Sequence, residues 1–230
     1  MVADYAAPLR RERTRSGGGG LSPAARPMEM DSQADDTRVV GPDDVEAAAL
    51  SLGEAFGDDP VMGWLGGFED APARVTKLMR AQLTAQTARP ECLAFTTRGH
   101  AANAIWNPPG HAGPSSAQLL RSLPRILSVF RTGVRRLPGF LTALEAAHPR
   151  EPHYYLAFVG VRRAVRGAGL GAAVLQPMLD RCDTEGIGAY LENSRPENAA
   201  FYARLGFVEI SPVALPDGAP PLTSMWRAPR

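Results

Sequence analysis

A glycine-rich loop gives the clearest chemical signal in the chain. Its members are Arg166, Gly167, Ala168, Gly169, Leu170 and Gly171. Glycines leave backbone N–H groups uncovered, so a phosphate anion can approach them closely. A helix beginning at the loop would point the positive end of its dipole at the same anion, and Arg166 can add a charged contact. The loop is therefore a candidate phosphate site, although a glycine-rich turn without a ligand has the same composition.

The spacing of the glycines separates this loop from two common phosphate-binding motifs. A P-loop carries Lys and then Ser or Thr after its last glycine, whereas Ala172 and Ala173 follow here. A dinucleotide fingerprint needs G-x-G-x-x-G, and this loop has G-x-G-x-G. Glu192, about twenty residues on, is where a ribose-binding acid would stand. However, the remaining chain is too short for a doubly wound domain.

The loop lies between a predicted strand and a predicted helix. Apolar alternation predicts a strand over 154–161, and helical spacing predicts a helix over 169–184. Further elements are predicted at 188–193 (strand), 197–205 (helix), 207–210 (strand) and 222–226 (strand). This order implies one crossover-linked parallel pair in an otherwise mostly antiparallel sheet. We expect an α/β or α+β fold, a single domain with a mixed sheet flanked by helices.

The first part of the chain divides into a leader and a folded region. Residues 1–36 include four consecutive glycines and show no apolar periodicity, so we expect a disordered leader. The domain is expected to span 37–230. Its first half should contain helices beginning near Val45 and Arg74, then a hairpin that turns at Gly99. The span 116–147 should be helical, with breaks near Pro124 and at Pro138.

Composition excludes several classes of protein. The formal net charge of +1, with 21% charged residues, predicts neither a nucleic-acid partner nor a membrane partner. No apolar run reaches the roughly eighteen residues of a membrane span, and no apolar segment follows the N-terminal arginines as in a secretory signal. Two cysteines and four histidines offer no metal-ligand spacing. We expect a soluble cytoplasmic protein without a metal, and the sequence assigns no oligomeric state.

The loop and its surroundings resemble the GNAT acyltransferase superfamily. Arg166-x-x-Gly169-x-Gly171 matches the R/Q-x-x-G-x-G/A motif of that family, and the segment 191–207, LENSRPENAAFYARLGF, is similar to its closing strand–helix–strand. More narrowly, the chain resembles the puromycin N-acetyltransferase group. The counterparts there include Arg150-Glu151-Pro152, Leu156, Asp59-Pro60, Ala104-Ile105-Trp106 and the Pro196-x-Asn198-x-x-Phe201-Tyr202 run. The similarity covers about 38–228 and is most specific over 154–207.

This resemblance implies acetyl-CoA as co-substrate. The N–H groups of 166–171 would hold its pyrophosphate, and the backbone of the strand end would pair with its pantetheine arm. That strand end consists of Val159, Gly160 and Val161. Asn198 would contact the amide region of the cofactor; as a residue after Pro196 it also fits an ordinary helix N-terminus.

The resemblance further implies two catalytic candidates. Tyr202 stands where the family has the acid that protonates the departing thiolate, and a tyrosine stays protonated near neutrality. The alternative for Tyr202 is a core aromatic beside Phe201 and Phe207. Glu192 could accept the proton of the acceptor amine, bind a cationic acceptor, or simply face solvent.

Three functions remain open from the sequence. The first is an N-acetyltransferase acting on a small-molecule amine such as an antibiotic or metabolite, with acceptor recognition in the span 116–147. The second is the same chemistry on a protein lysine or N-terminus. The third is a non-catalytic acyl-CoA-sensing module. The joint presence of five motif residues argues against it: Arg166, Gly169, Gly171, Asn198 and Tyr202.

Overall fold

A computed structural model describes residues 37–110, 124 and 126–230. The predicted leader, 1–36, lies outside the described residues, as does the beginning of the predicted helical span at 116–123. The described residues form one seven-stranded sheet in the order β1-β2-β3-β4-β5-β7-β6. Its strands are β1 Arg38–Val39, β2 Ala94–Thr96, β3 Ala102–Asn107, β4 His153–Val161, β5 Gly188–Asn193, β6 Val208–Pro212 and β7 Thr223–Arg227.

Helices cover both faces of this sheet. They are α1 Val45–Phe56, α2 Pro60–Gly66, α3 Ala71–Thr87, α4 Leu137–Ala147, α5 Leu170–Glu185 and α6 Ala199–Arg204. Residues 126–130 are also helical and continue into a 3₁₀ helix, Arg131–Arg136. The predicted break at Pro138 is where α4 begins, since proline suits the first turn of a helix.

The core consists of two apolar clusters, one on each face of the sheet. The first contains side chains of α1 and α3 together with Phe158 from β4. The second contains side chains of α5 together with Leu156 of β4, Leu191 of β5 and Tyr202 of α6. Because side chains alternate along a strand, Glu192 faces the first cluster while Leu191 faces the second.

The pair β4–β5 is parallel, and α5 forms the crossover between the two strands. Every other neighbouring pair in the sheet is antiparallel. The predicted fold class is therefore confirmed, including its single parallel pair.

Candidate active site

The parallel pair β4–β5 separates after a short ladder. Only three residue pairs join the two strands, and the last of them is Tyr155 with Tyr190. Beyond that pair, β4 continues along β3 as far as Val161. Its ladder with β3 shifts register between Ile105 and Trp106, so β4 carries one extra residue at that point. The result is a wedge between β4 and β5 into which an extended ligand can add as a strand.

The residues predicted to pair with such a ligand line this wedge along β4. Val159, Gly160 and Val161 are bonded on one edge to β3, and their other edge faces the wedge. Gly160 also has a packing role. A Cβ there would lie 2.8 Å from Cβ of Ala55, so glycine is needed for α1 to approach the sheet. The sequence analysis did not anticipate this second requirement.

The glycine loop leads from the end of β4 into α5. Gly167 and Gly169 have positive φ values of 84° and 80°, which glycine adopts without strain. A Cβ at Gly169 would meet nothing within 4 Å, so the approach to the backbone is open. The first N–H groups of α5, those of Leu170 and Gly171, have no intrahelical acceptor because of their position. The loop thus has the geometry of an anion site at a helix N-terminus.

Arg166 is held close to the strand that precedes the loop. Its Nε donates a hydrogen bond of 3.4 Å to the carbonyl oxygen of Val161. This contact connects the loop to the end of β4. A direct role of the guanidinium toward a phosphate stays a prediction.

Tyr202 and Asn198 lie on the face covered by α5. Both are fully buried. The ring of Tyr202 contacts Phe201 and Phe207 edge-on, with centroid distances of 5.0 and 5.8 Å. Asn198 precedes α6, but its side chain does not cap that helix. The simple alternative, a capping asparagine, therefore does not account for its burial.

Glu192 lies on the opposite face, two residues beyond the last pair of the short ladder. It is 1% exposed. Its Oε2 accepts a hydrogen bond of 2.8 Å from the hydroxyl of Tyr155, and Nδ1 of His148 lies 3.6 Å from its Oε1. Of the alternatives for Glu192, a solvent-facing side chain is excluded by this burial.

Aromatic rings surround Glu192. His148 contacts Tyr155 and Tyr190 with centroid distances of 4.7 and 4.8 Å, and His153 contacts Tyr190 at 5.3 Å. Burial raises the pKa of Tyr155 well above its usual value, and the nearby Glu192 carboxylate raises it further. Burial lowers the pKa of His153. The hydroxyl of Tyr155 is therefore favoured in its protonated form, and the charged form of the His153 imidazole is disfavoured.

A cavity of about 320 Å³ adjoins this cluster. Its lining includes Asn107, Pro108, His148, Arg150, His153 and Tyr155. The volume is that of a small-ligand site.

Asp59 is a second buried acid near the end of β5. Its Oδ1 accepts from the N–H of Met62 at 2.9 Å, which caps α2, and its Oδ2 accepts from the hydroxyl of Ser194 at 2.6 Å. Burial raises the pKa of Asp59, and the Ser194 hydrogen bond partly opposes that effect. This contact anchors the turn between α1 and α2 to the strand that carries Glu192.

Sequence reasoning missed how Tyr155, His148 and Asp59 are arranged. Tyr155 and Glu192 lie on predicted neighbouring parallel strands, so their register could in principle have indicated the contact. His148 follows α4 and contacts Glu192 across 44 positions of chain, and no local pattern predicts that.

Comparison with known proteins agrees with this geometry. The model of the Acetyltransferase (GNAT) family matches residues 105–207. A crystal structure of a histone acetyltransferase HPA2 and related acetyltransferase from Corynebacterium glutamicum is 25% identical, with a TM-score of 0.62, over 85% of this chain and 96% of that one. The chain has the GNAT fold. The polyamine N-acetyltransferase of Drosophila melanogaster shares the fold at 15% identity and a TM-score of 0.57, over 84% of this chain and 98% of that one.

A sequence relative is also named as an N-acetyltransferase. An uncharacterized N-acetyltransferase of Schizosaccharomyces pombe is 28% identical over 177 residues, which is 72% of this chain and 71% of the relative. The family match and the relatives thus show that this chain is similar to GNAT acetyltransferases. Among the residues that the structure describes, no group of three or more His, Cys, Asp or Glu side chains could hold a metal ion. Nor does any described helix have the length and apolar character to cross a membrane.

Proposed function

We propose that the protein is an N-acetyltransferase that transfers the acetyl group of acetyl-CoA directly to the primary amine of a small molecule. The observation that carries the proposal is the wedge between β4 and β5, which opens beside a glycine loop at the start of α5. An extended chain with a terminal pyrophosphate fits both features at once. The small-ligand size of the cavity lined by His148, His153 and Tyr155 supports a small acceptor.

Backbone groups bind the co-substrate, and side chains on the two faces of the sheet transfer the protons. Backbone N–H groups of 166–171 hold the pyrophosphate, and the 159–161 backbone pairs with the pantetheine arm while Asn198 contacts its amides. Glu192 accepts one proton from the acceptor ammonium, and the neutral nitrogen then attacks the thioester carbonyl carbon. As the carbon–sulfur bond breaks, Tyr202 donates its hydroxyl proton to the sulfur. The nitrogen, positively charged after the attack, releases its second proton through solvent, and the same solvent restores the Tyr202 hydroxyl. Backbone N–H groups of β4 stabilise the negative oxygen in between.

The first test measures acetyl-CoA affinity of Gly169→Glu by calorimetry. The added carboxylate occupies the open approach and repels phosphate, so we expect affinity to fall at least about 30-fold, equivalent to about 2 kcal/mol. Gly186→Glu is the matched control. Gly186 is at the other end of α5, has a φ of 67° and is equally open. Equal affinities of the two folded variants would refute the loop assignment.

The second test concerns Tyr202→Phe. Its hydroxyl acts on charge that develops only as the carbon–sulfur bond breaks, so kcat should fall by about 10²–10⁴ with little change in KM. Tyr154→Phe is the control, because Tyr154 is also buried in the α5-side cluster but donates to Glu185 instead. A kcat for Tyr202→Phe within twofold of wild type ends the catalytic assignment.

Acceptors are compared by thiol release from acetyl-CoA with a panel of amines, peptides and aminonucleosides. The resemblance to the puromycin N-acetyltransferase group puts aminonucleosides first in that panel. Turnover with small amines and none with peptides is the expected result. The opposite pattern would favour a protein acetyltransferase, and no turnover with any member would favour an acyl-CoA-sensing module.

A further inference from the structure

We propose that Tyr155 is the positioning residue that keeps Oε1 of Glu192 available to an acceptor that enters as its ammonium ion. The inference rests on the proposed function and names the charge state of its substrate. It assigns a role to Tyr155 that the GNAT motifs of the sequence do not contain.

The two oxygens of Glu192 differ in their partners. Oε2 is satisfied by the hydroxyl of Tyr155 at 2.8 Å. Oε1 is buried and accepts no hydrogen bond from any residue that the structure describes. A buried carboxylate oxygen without a donor is costly, by about 1–3 kcal/mol or more. Such an oxygen is explained if a ligand supplies the missing donor.

The charge and the aromatic neighbours of this oxygen favour a cationic hydrogen-bond donor, such as an ammonium ion. Glu192 is negatively charged when ionised, and the rings of Tyr155, Tyr190 and His148 lie around it. Aromatic faces attract an ammonium ion, and a buried carboxylate attracts it more strongly. A primary ammonium offers three N–H donors, of which one can fill the position at Oε1.

The position along β5 is suited to the transfer. Tyr155 and Tyr190 form the last pair of the short ladder, and Glu192 follows on the same face of β5. Its carboxylate thus stands at the point where β4 and β5 separate. An ammonium ion at Oε1 would lie where the wedge between β4 and β5 begins. The thioester would reach the same point from the end of the wedge at the glycine loop.

The hydroxyl of Tyr155 is bound to Oε2 of Glu192 and therefore acts on the acceptor through that carboxylate. Burial and the Glu192 carboxylate raise the pKa of Tyr155, which favours the protonated hydroxyl. This hydroxyl donates to Oε2 of Glu192. This bond leaves Oε1 turned toward the acceptor and lets Glu192 take one proton as the N–H bond of the ammonium breaks. The proton leaves Glu192 for solvent after the amide product departs.

His148 supplies the competing explanation. Its Nδ1 lies 3.6 Å from Oε1, and the same atom lies 3.0 Å from the carbonyl oxygen of Leu144. Because that carbonyl can only accept, the arrangement assigns the Nδ1 proton to Leu144. If His148 instead satisfied Oε1 as an ion pair, Glu192 would be a structural residue and its loss would affect every acceptor equally.

The experiment compares two acceptors of the same shape with full-length wild type and Tyr155→Phe. One is the best alkylamine from the thiol-release panel, which is an ammonium near neutrality, since alkyl amines have pKa values of about 10. The other is the corresponding hydrazide, which is already neutral. We expect Tyr155→Phe to lower kcat/KM about 10-fold for the alkylamine and less than about threefold for the hydrazide. KM for acetyl-CoA should not change.

Two further variants complete the test. In a Glu192→Gln background, Tyr155→Phe should have no additional effect on the alkylamine, because Tyr155 acts only through that carboxylate. Tyr154→Phe removes a comparable bond, from Tyr154 to Glu185 at 2.6 Å, and should leave both acceptors unaffected.

Equal losses of Tyr155→Phe on both acceptors, or additive effects in the double variant, would overturn the proposal. A wild type that turns over no amine of the thiol-release panel would instead refute the proposed function. The two failures are therefore distinguishable.

Discussion

Two buried acids on the same side of the sheet, Asp59 and Glu192, have opposite hydrogen-bond environments. Asp59 is 0% exposed and Glu192 is 1% exposed. Both oxygens of Asp59 have donors, from Met62 and Ser194, and these bonds hold the α1–α2 turn against β5. Glu192 has a donor for one oxygen. Burial alone therefore does not distinguish a structural carboxylate from a reactive one. The distinction is whether both carboxylate oxygens have hydrogen-bond donors.

The largest expected effect is that of Glu192→Gln on turnover. The amide keeps the shape of the side chain but cannot accept a proton, so kcat for an ammonium acceptor should fall by about 10²–10⁴. Unfolding free energy should change by less than about 1 kcal/mol, because the buried charge is removed while the amide oxygen can still accept from the Tyr155 hydroxyl. Steady-state kinetics and urea unfolding check both values. A large loss of stability with a normal kcat would show that Glu192, like Asp59, has a structural role.

Asp59→Ala should show the reverse pattern. It removes the cap of α2 and the acceptor of the Ser194 hydroxyl, so we expect a loss of about 2–3 kcal/mol in urea unfolding. Because burial raises its pKa, the ionised form of Asp59 is penalised in the fold. The contribution of Asp59 to stability should thus decrease as pH rises above its unfolded value, about 3.9.

Asp59→Asn is the matched variant for that comparison. Asparagine caps a helix as well as aspartate does and carries no charge, so stability at pH 7 should be within about 1 kcal/mol of wild type or higher. A kcat reduced more than about tenfold in this variant would show that Asp59, too, takes part in catalysis.

The smallest expected effect belongs to a third acid, Asp183 on α5. Arg227 binds both of its oxygens at 2.7 Å, and this hydrogen bonding lowers the pKa of Asp183 to about 2. Since the pair is partly exposed and screened by solvent, Asp183→Asn should cost about 1 kcal/mol.

The sign of the pH effect follows from that lowered pKa. The contribution of Asp183 is present above the unfolded pKa of about 3.9 and is lost as pH falls through about 2. The stability difference between wild type and Asp183→Asn should therefore shrink between pH 4 and pH 2. A difference that is independent of pH would contradict this account.

The sequence predicted the elements that depend on local patterns. The glycines at 167 and 169, the helix that follows them and the strand before them all have local causes, namely positive φ, helical spacing and apolar alternation. Pro138 was predicted to interrupt a helix, and it stands in the first turn of α4. The predicted fold class depended on the order of such elements, which is why it could be obtained without coordinates.

The environment of Glu192, the candidate proton acceptor, could not be predicted in this way. The contact of Glu192 with Tyr155 depends on the register of β4 against β5, and that with His148 depends on where α4 ends against the sheet. The contact of Asp59 with Ser194 joins residues 135 positions apart. Packing of distant segments decides such contacts. The bulge in β4 and the packing role of Gly160 have the same origin.

The short β4–β5 ladder has a mechanical consequence. The sheet consists of two blocks, β1–β4 and β5–β7, that share three residue pairs and the helix α5, whose side chains pack with residues of both. A ligand bound in the wedge as an added strand would supply hydrogen bonds where β4 and β5 do not pair, and would hold the two blocks together. Amide hydrogen exchange in β5–β7 should then slow when acetyl-CoA is bound, and thermal unfolding should shift upward with its concentration. Bound acetyl-CoA would then stabilise the sheet by pairing with β4, and release of the CoA product would remove this connection between the two blocks.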